Sequence, residues 1–159
     1  MIELYRKTHS MITLNFEMYH CSTTQPVKVH INIDDEFWFT SIDGNFKGSF
    51  VVDKNDPIGY STEDAELKEY LEGIGMYLRD NDAKHHLADL LMKKYGDNLN
   101  SFQFTNNDIL ELVADEDTDI EEFGACIKDH IYDDVAFESK LSVVLSKEGD
   151  DYTVDFDIN

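Results

Sequence analysis

Between Leu112 and Gly124 the chain reads LVADEDTDIEEFG. Six of the eight residues from Asp115 to Glu122 are carboxylates, with no Lys or Arg among them. Carboxylates at this density can ligate a hard cation, divide into an acid and a base, or present an anionic surface. The cation reading starts from Asp115, Asp117 and Asp119, which alternate as ligands do at the head of an EF-hand loop. That loop needs Gly at its sixth position and Glu at its twelfth, where this chain has Ile120 and Cys126. Zinc fares no better. Cys126 and His130 stand one helical turn apart, but a structural site needs a full tetrahedral set, and no second pair at metal spacing accompanies them. His85 and His86 are adjacent, so on a helix they diverge by about 100° and cannot chelate together. His20 and Cys21 would point to opposite faces of a strand. His30 falls within an alternating segment. With 34 Asp and Glu in the chain, no pair can be singled out for acid–base work. No phosphate-binding glycine loop, nucleophile elbow or HExxH pattern occurs. The sequence therefore nominates no catalytic residue, no metal ligand and no cofactor, and favours a binding protein over an enzyme.

What remains is charge. The formal net charge is −21, from 34 acids against 13 Lys and Arg, whereas about 2–8 units suffice to keep a small domain in solution. Such a chain is a poor ligand for phosphate backbones and for anionic membranes; its natural complement is a basic protein surface. The charge is uneven. Residues 106–159 hold 17 acids against Lys128, Lys140 and Lys147. Helix stability accounts for Asp119, Glu121 and Glu122, which fall in a predicted first turn where the macrodipole favours each by about 0.3–1 kcal/mol. It does not account for Asp115, Glu116 and Asp117, which follow a preceding predicted helix, nor for Asp129, Asp133 and Asp134 at the unfavourable end of the next. At about 3.6 residues per turn, Asp119, Glu122, Asp129 and Asp133 share one face, opposite Ile120, Phe123 and Ile127. Asp155 and Asp157 would thicken that array if the terminal strand adjoins it.

The elements that must position these side chains follow from periodicity. ITLNFEM and VKVHINI alternate cleanly, EFWFTSI is aromatic at both parities, and FKGSFVV returns after the turn signal Asp43–Asn45. At least part of EFWFTSI is thus expected to be covered on both sides, and IELYRK is left as either a strand or a lead-in. Four helices are expected next. The first is capped by Ser61 and Asp64 and carries Leu67, Leu71, Ile74 and Leu78. The second follows RDND, carries Leu87, Leu90 and Leu91, and stops at Gly96. A short third one begins at Thr105 and Asp108 with Ile109, Leu110, Leu112 and Val113. The fourth is capped by Thr118 with Glu121. A hairpin closes the chain: KLSVVLS, then YTVDFDIN with Tyr152, Val154, Phe156 and Ile158 inward. The expectation is a single α+β domain over residues 1–159, an N-terminal four-strand meander plus the C-terminal hairpin packed by about four helices.

Cys21 and Cys126 are too few for a disulfide framework and are expected as buried small hydrophobes. The first residues lack the apolar core of a signal peptide, which points to the cytoplasm, a host's cytoplasm if a virus encodes the chain. Trp38 is the candidate anchor for a partner if it projects from the far face of its strand. Compact, very acidic and free of motifs, the chain resembles as a class the anti-restriction and anti-CRISPR inhibitors of viruses and mobile elements. The functional expectation is a small inhibitor of that nucleic-acid-mimicking type, bound to a basic surface of a nuclease or similar enzyme through Asp115, Glu116, Asp117, Asp119, Glu122, Asp129 and Asp133. The alternatives are an enzyme or ligand-binding domain with a pocket between sheet and helices, and an immunity protein capping a basic toxin.

Overall fold

The computed structural model describes residues 12–20 and 24–159; the IELYRK lead-in and Cys21 lie outside them. The chain divides into two compact units, residues 1–79 and 80–159, where the sequence reading treats 1–159 as one domain. Each unit has its own core. The class is α+β.

In the first unit, β1 (Ile12–Met18), β2 (Val27–Asp34), β3 (Phe37–Ile42) and β4 (Asn45–Val52) form the expected antiparallel meander, and the two-residue β5 (Tyr60–Ser61) adds a fifth strand. The β3–β4 turn is tight because Asp43 and Gly44 both take positive φ, 50° and 82°, the hairpin geometry that Asp-Gly favours. The Asp43 carboxylate then accepts from the Lys28 amide at 2.9 Å, fixing the turn to β2. One face of the sheet is apolar: Val27, Val29, Ile31, Ile33, Trp38, Ile42 and Phe50 are buried against Leu67, Leu71, Ile74 and Leu78. Those four leucine and isoleucine side chains come from α1 (Ala65–Lys94), a helix of 30 residues.

That helix corrects the sequence reading. The two helices expected on either side of RDND are one, because Arg79, Asp80, Asn81 and Asp82 include neither Pro nor Gly. Asp and Asn inside a helix cost only a few tenths of a kcal/mol each. The cap moves too. Ser61 belongs to β5, and the first turn closes on the Asp64 carbonyl, which accepts from the Leu67 and Lys68 amides at 3.0 and 3.3 Å. The Asp64 carboxylate instead accepts from the Ser49 amide at 2.8 Å. It sits so close to Gly48, whose φ is +133°, that any Cβ there would collide with it.

In the second unit, β6 (Leu99–Thr105), β7 (Ile109–Ala114), β8 (Leu141–Lys147) and β9 (Val154–Ile158) form a sheet in that order. The expected short third helix is strand β7. Leu110, Leu112 and Ala114 alternate inward with no exposure, while Ile109 and Val113 occupy the other face and mimic a helical spacing. β7 and β8 run parallel, and the other pairs are antiparallel. A parallel pair needs a crossover, supplied here by α2 (Ile120–His130) and a following 3-10 turn (Ile131–Asp133). Ile120, Phe123, Ile127 and Ile131 pack with Leu112, Leu141, Val143, Leu145 and Ile158, joined by Leu87, Ala88 and Leu91 of α1. Each fully buried leucine or isoleucine there contributes about 1.5–3 kcal/mol. The structure thus has two α-helices among the described residues rather than about four, and the terminal hairpin β8–β9 is half of a four-stranded mixed sheet.

Candidate protein-binding surface

The acidic candidates take their positions from two local structures. Asp115, Glu116 and Asp117 occupy the turn from β7 into α2, which closes through the Thr118 amide and the Asp115 carbonyl at 3.1 Å. The Asp115 amide is held by the Asn98 carbonyl at 2.8 Å, so the turn is tied to the start of β6. The helix cap is Asp119 and not Thr118: its carboxylate accepts from the Glu121 and Glu122 amides at 3.1 and 3.3 Å. One residue's shift gives the cap to a carboxylate, which satisfies the free amides and adds favourable charge at the same pole.

Along α2 the apolar stripe is buried and Glu122, Asp129 and the cap Asp119 are exposed, as is Asp133 in the turn that follows. Glu116 and Asp117 are exposed, and Asp115 is half-buried. None of the seven forms a salt bridge among the described residues. Of the six lysines in the 80–159 unit, Lys94 donates to Asp134 at 2.9 Å, Lys140 meets Asp157 at 3.3 Å, and Lys84 lies between Asp80 and Asp108 at 3.5 and 3.4 Å. Lys128 is exposed on α2 itself. The 80–159 unit carries 21 acids against 6 Lys and Arg, a net of −15, and the 1–79 unit 13 against 7, a net of −6.

The remaining candidates are redistributed. Asp155 and Asp157 adjoin α2 through their strand, since Gly124 packs against Val154, but they do not thicken its array. Val154, Phe156 and Ile158 face the core, so the two aspartates lie on the opposite side of the sheet, in the row that holds Ser142 and Val144. The Asp157 carboxyl is held below the usual carboxylate range by the Ser142 hydroxyl and then by Lys140. Tyr152 is exposed rather than inward; it precedes β9 and its hydroxyl donates to Glu121, which raises its own pKa. Cys126 is exposed rather than buried. It stands four residues after Glu122 and three before Asp129, and therefore on their face of the helix.

Trp38 is not a surface anchor. It is 3% exposed, with Phe50 and Tyr60 rings at 5.3 and 5.9 Å. The outward aromatics of β3 are Phe37 and Phe39, joined by Phe46, and all three are exposed, so the aromatic part of the strand is not covered on both sides by described residues. The signal for this was present in the sequence. A two-residue turn at Asp35–Glu36 pairs Ile33 with Trp38, and paired residues share a face. Trp38 must then join the apolar side of β2.

Two cavities are of small-ligand size. One of about 680 Å³ is lined by Phe37, Val51, Ser61, Thr62, Glu63 and Asp64, among others. Another of about 410 Å³ is lined by Ser101, Gln103, Glu111, Val144, Ser146 and Thr153, among others. Neither lies between a sheet and a helix, and neither brings a histidine together with carboxylates. Among the described residues no group of three or more His, Cys, Asp or Glu side chains is arranged to hold a metal ion. No described helix is long and apolar enough to cross a membrane. No family model matches the chain, and no curated protein or solved structure matches it either.

Proposed function

We propose that the chain is an inhibitor that occupies a basic surface of a nucleic-acid-processing protein, with the turn 115–117 and the outer side of α2 as its contact surface. One observation carries the reading: seven carboxylates, none in a salt bridge among the described residues, follow one another through a turn and helix that a buried stripe anchors to the core. Helix capping and the dipole account for Asp119 and Glu122, but not for the other five. Asp129 and Asp133 end a helix, where the dipole disfavours negative charge. From Asp119 to Asp129 the helix advances about 15 Å at 1.5 Å per residue, and a DNA strand advances about 3.4 Å per phosphate. The array is sparser than a phosphate backbone but of the same sign and linear form. A channel lined with Lys and Arg for a nucleic acid, such as the heteroduplex channel of an RNA-guided nuclease, is a fitting target. The test is affinity capture by the full chain, with mass spectrometry of what is retained and displacement by duplex DNA or an RNA–DNA heteroduplex. Nucleic-acid-binding proteins that the nucleic acid elutes are the expected result. A retained partner that nucleic acid fails to displace would overturn the reading.

A further inference from the structure

Strand β6 ends the second sheet, and no described strand pairs with its outer edge. Edge strands leave a row of unpaired amides and carbonyls, and proteins blunt them with charge, Pro or short length. β9, the opposite edge, is blunted in this way by Asp155 and Asp157, both exposed. β6 is not. The ten residues Asn98–Asn107 contain no Asp, Glu, Lys, Arg or Pro in a chain that is 30% charged. Its one irregularity, a register shift between Leu99 and Ser101, leaves Ser101–Thr105 regularly paired with β7. Asn100, Ser101 and Gln103 are exposed, and Phe102 and Phe104 are half-buried on the core side.

We infer that β6 accepts an added strand from a basic partner protein: an extended segment alternating apolar and cationic side chains. Backbone hydrogen bonds to Ser101–Thr105 supply the pairing, as in other strand additions. The side chains set the composition. Positions beside Phe102 and Phe104 are apolar. Those on the opposite face lie beside Gln103, whose amide donates to Glu111 at 2.6 Å, and cationic groups there meet that carboxylate. A second copy of this chain is the wrong occupant, because it would bring two units of net charge −15 edge to edge. This surface is distinct from the outer side of α2, and either can fail while the other stands.

The probe is a capped eight-residue peptide of alternating Lys and Val, beside the same peptide N-methylated on all its backbone amides. Methylation leaves the charge but removes the donors that pairing uses. The unmodified peptide is expected to bind and to slow amide hydrogen exchange within residues 100–105, and the methylated one to bind at least tenfold more weakly. Phe104→Pro in the full chain, which removes an amide facing away from β7, its fold checked by circular dichroism, should abolish the same protection. Equal binding of the two peptides, protection elsewhere, or no binding by either would overturn the inference.

Discussion

The two units solve the same problem, burying one face of a sheet under helix, by connections of different range. In the first, every strand pairs with its neighbour in sequence, and alternation alone locates β1 to β4. In the second, β7 finds β8 only through α2, and the densest carboxylates, six of the eight residues 115–122, lie where the chain enters that helix. The difference teaches where charge can be tolerated. A helix that crosses over a sheet fixes one stripe in the core and leaves the rest free. The unit with the longer-range connection holds a net −15, against −6 in the unit whose strands pair locally.

Substitutions in the two cores would break or sharpen this division most strongly. Ile31 and Leu112 are both fully buried, and truncation to Ala should cost about 2–5 kcal/mol by urea unfolding. Hydrogen exchange should then accelerate within the mutated unit first: over the first sheet for Ile31→Ala and over 99–158 for Leu112→Ala. Uniform acceleration from either change would dissolve the distinction.

That asymmetry of range also decides what the sequence revealed. The meander was legible because each apolar set lies at one parity and Asp43–Gly44 fixes a hairpin register. β7 was not, since Ile109, Leu110, Leu112 and Val113 fit a helical spacing as well as an alternating one. Only pairing with β8, about 30 residues on, removes the ambiguity. The break expected at RDND failed because polar residues weaken a helix without ending it. For the surface, the sequence located the exposed side of α2 correctly. It could not see that Asp155 and Asp157 fall on the far side of the sheet, or that Trp38 faces inward, without knowing the pairing.

A medium effect is expected at the start of α2. Asp119→Ala removes the cap and should cost about 1 kcal/mol, whereas Thr118→Ala should change stability by a few tenths at most. The reverse order would restore Thr118 as the cap. A smaller effect attaches to Lys84, which is buried although Asp108 beside it is largely exposed. Lys84→Met keeps the stem packed and frees carboxylates that water can reach, so stability should stay within about 1 kcal/mol. A loss of several kcal/mol would show that the pair is a keystone of the second core.

The smallest expected effect is a pH dependence. Burial against Phe104 lowers the His85 pKa, with Asp89 partly opposing. The native state then binds this proton less readily than the unfolded chain. The contribution is present above about pH 6.5, the unperturbed value, and declines as pH falls below it. Urea midpoints measured from pH 7.5 to 5.5 should fall less in His85→Gln than in the parent chain; equal falls would place the effect elsewhere.

If the outer side of α2 is a surface for cationic groups, its charge governs the rate of association, and association kinetics test this most directly. Stopped-flow rates for the parent chain and for Asp129→Lys/Asp133→Lys would be measured against a captured target at low and near-physiological salt. Exposed charges are screened beyond about 8–10 Å at the latter. The predicted result is slower association of the variant, by at least tenfold at low salt, with the gap narrowing as salt rises and the fold unchanged. Equal rates at both ionic strengths would contradict it.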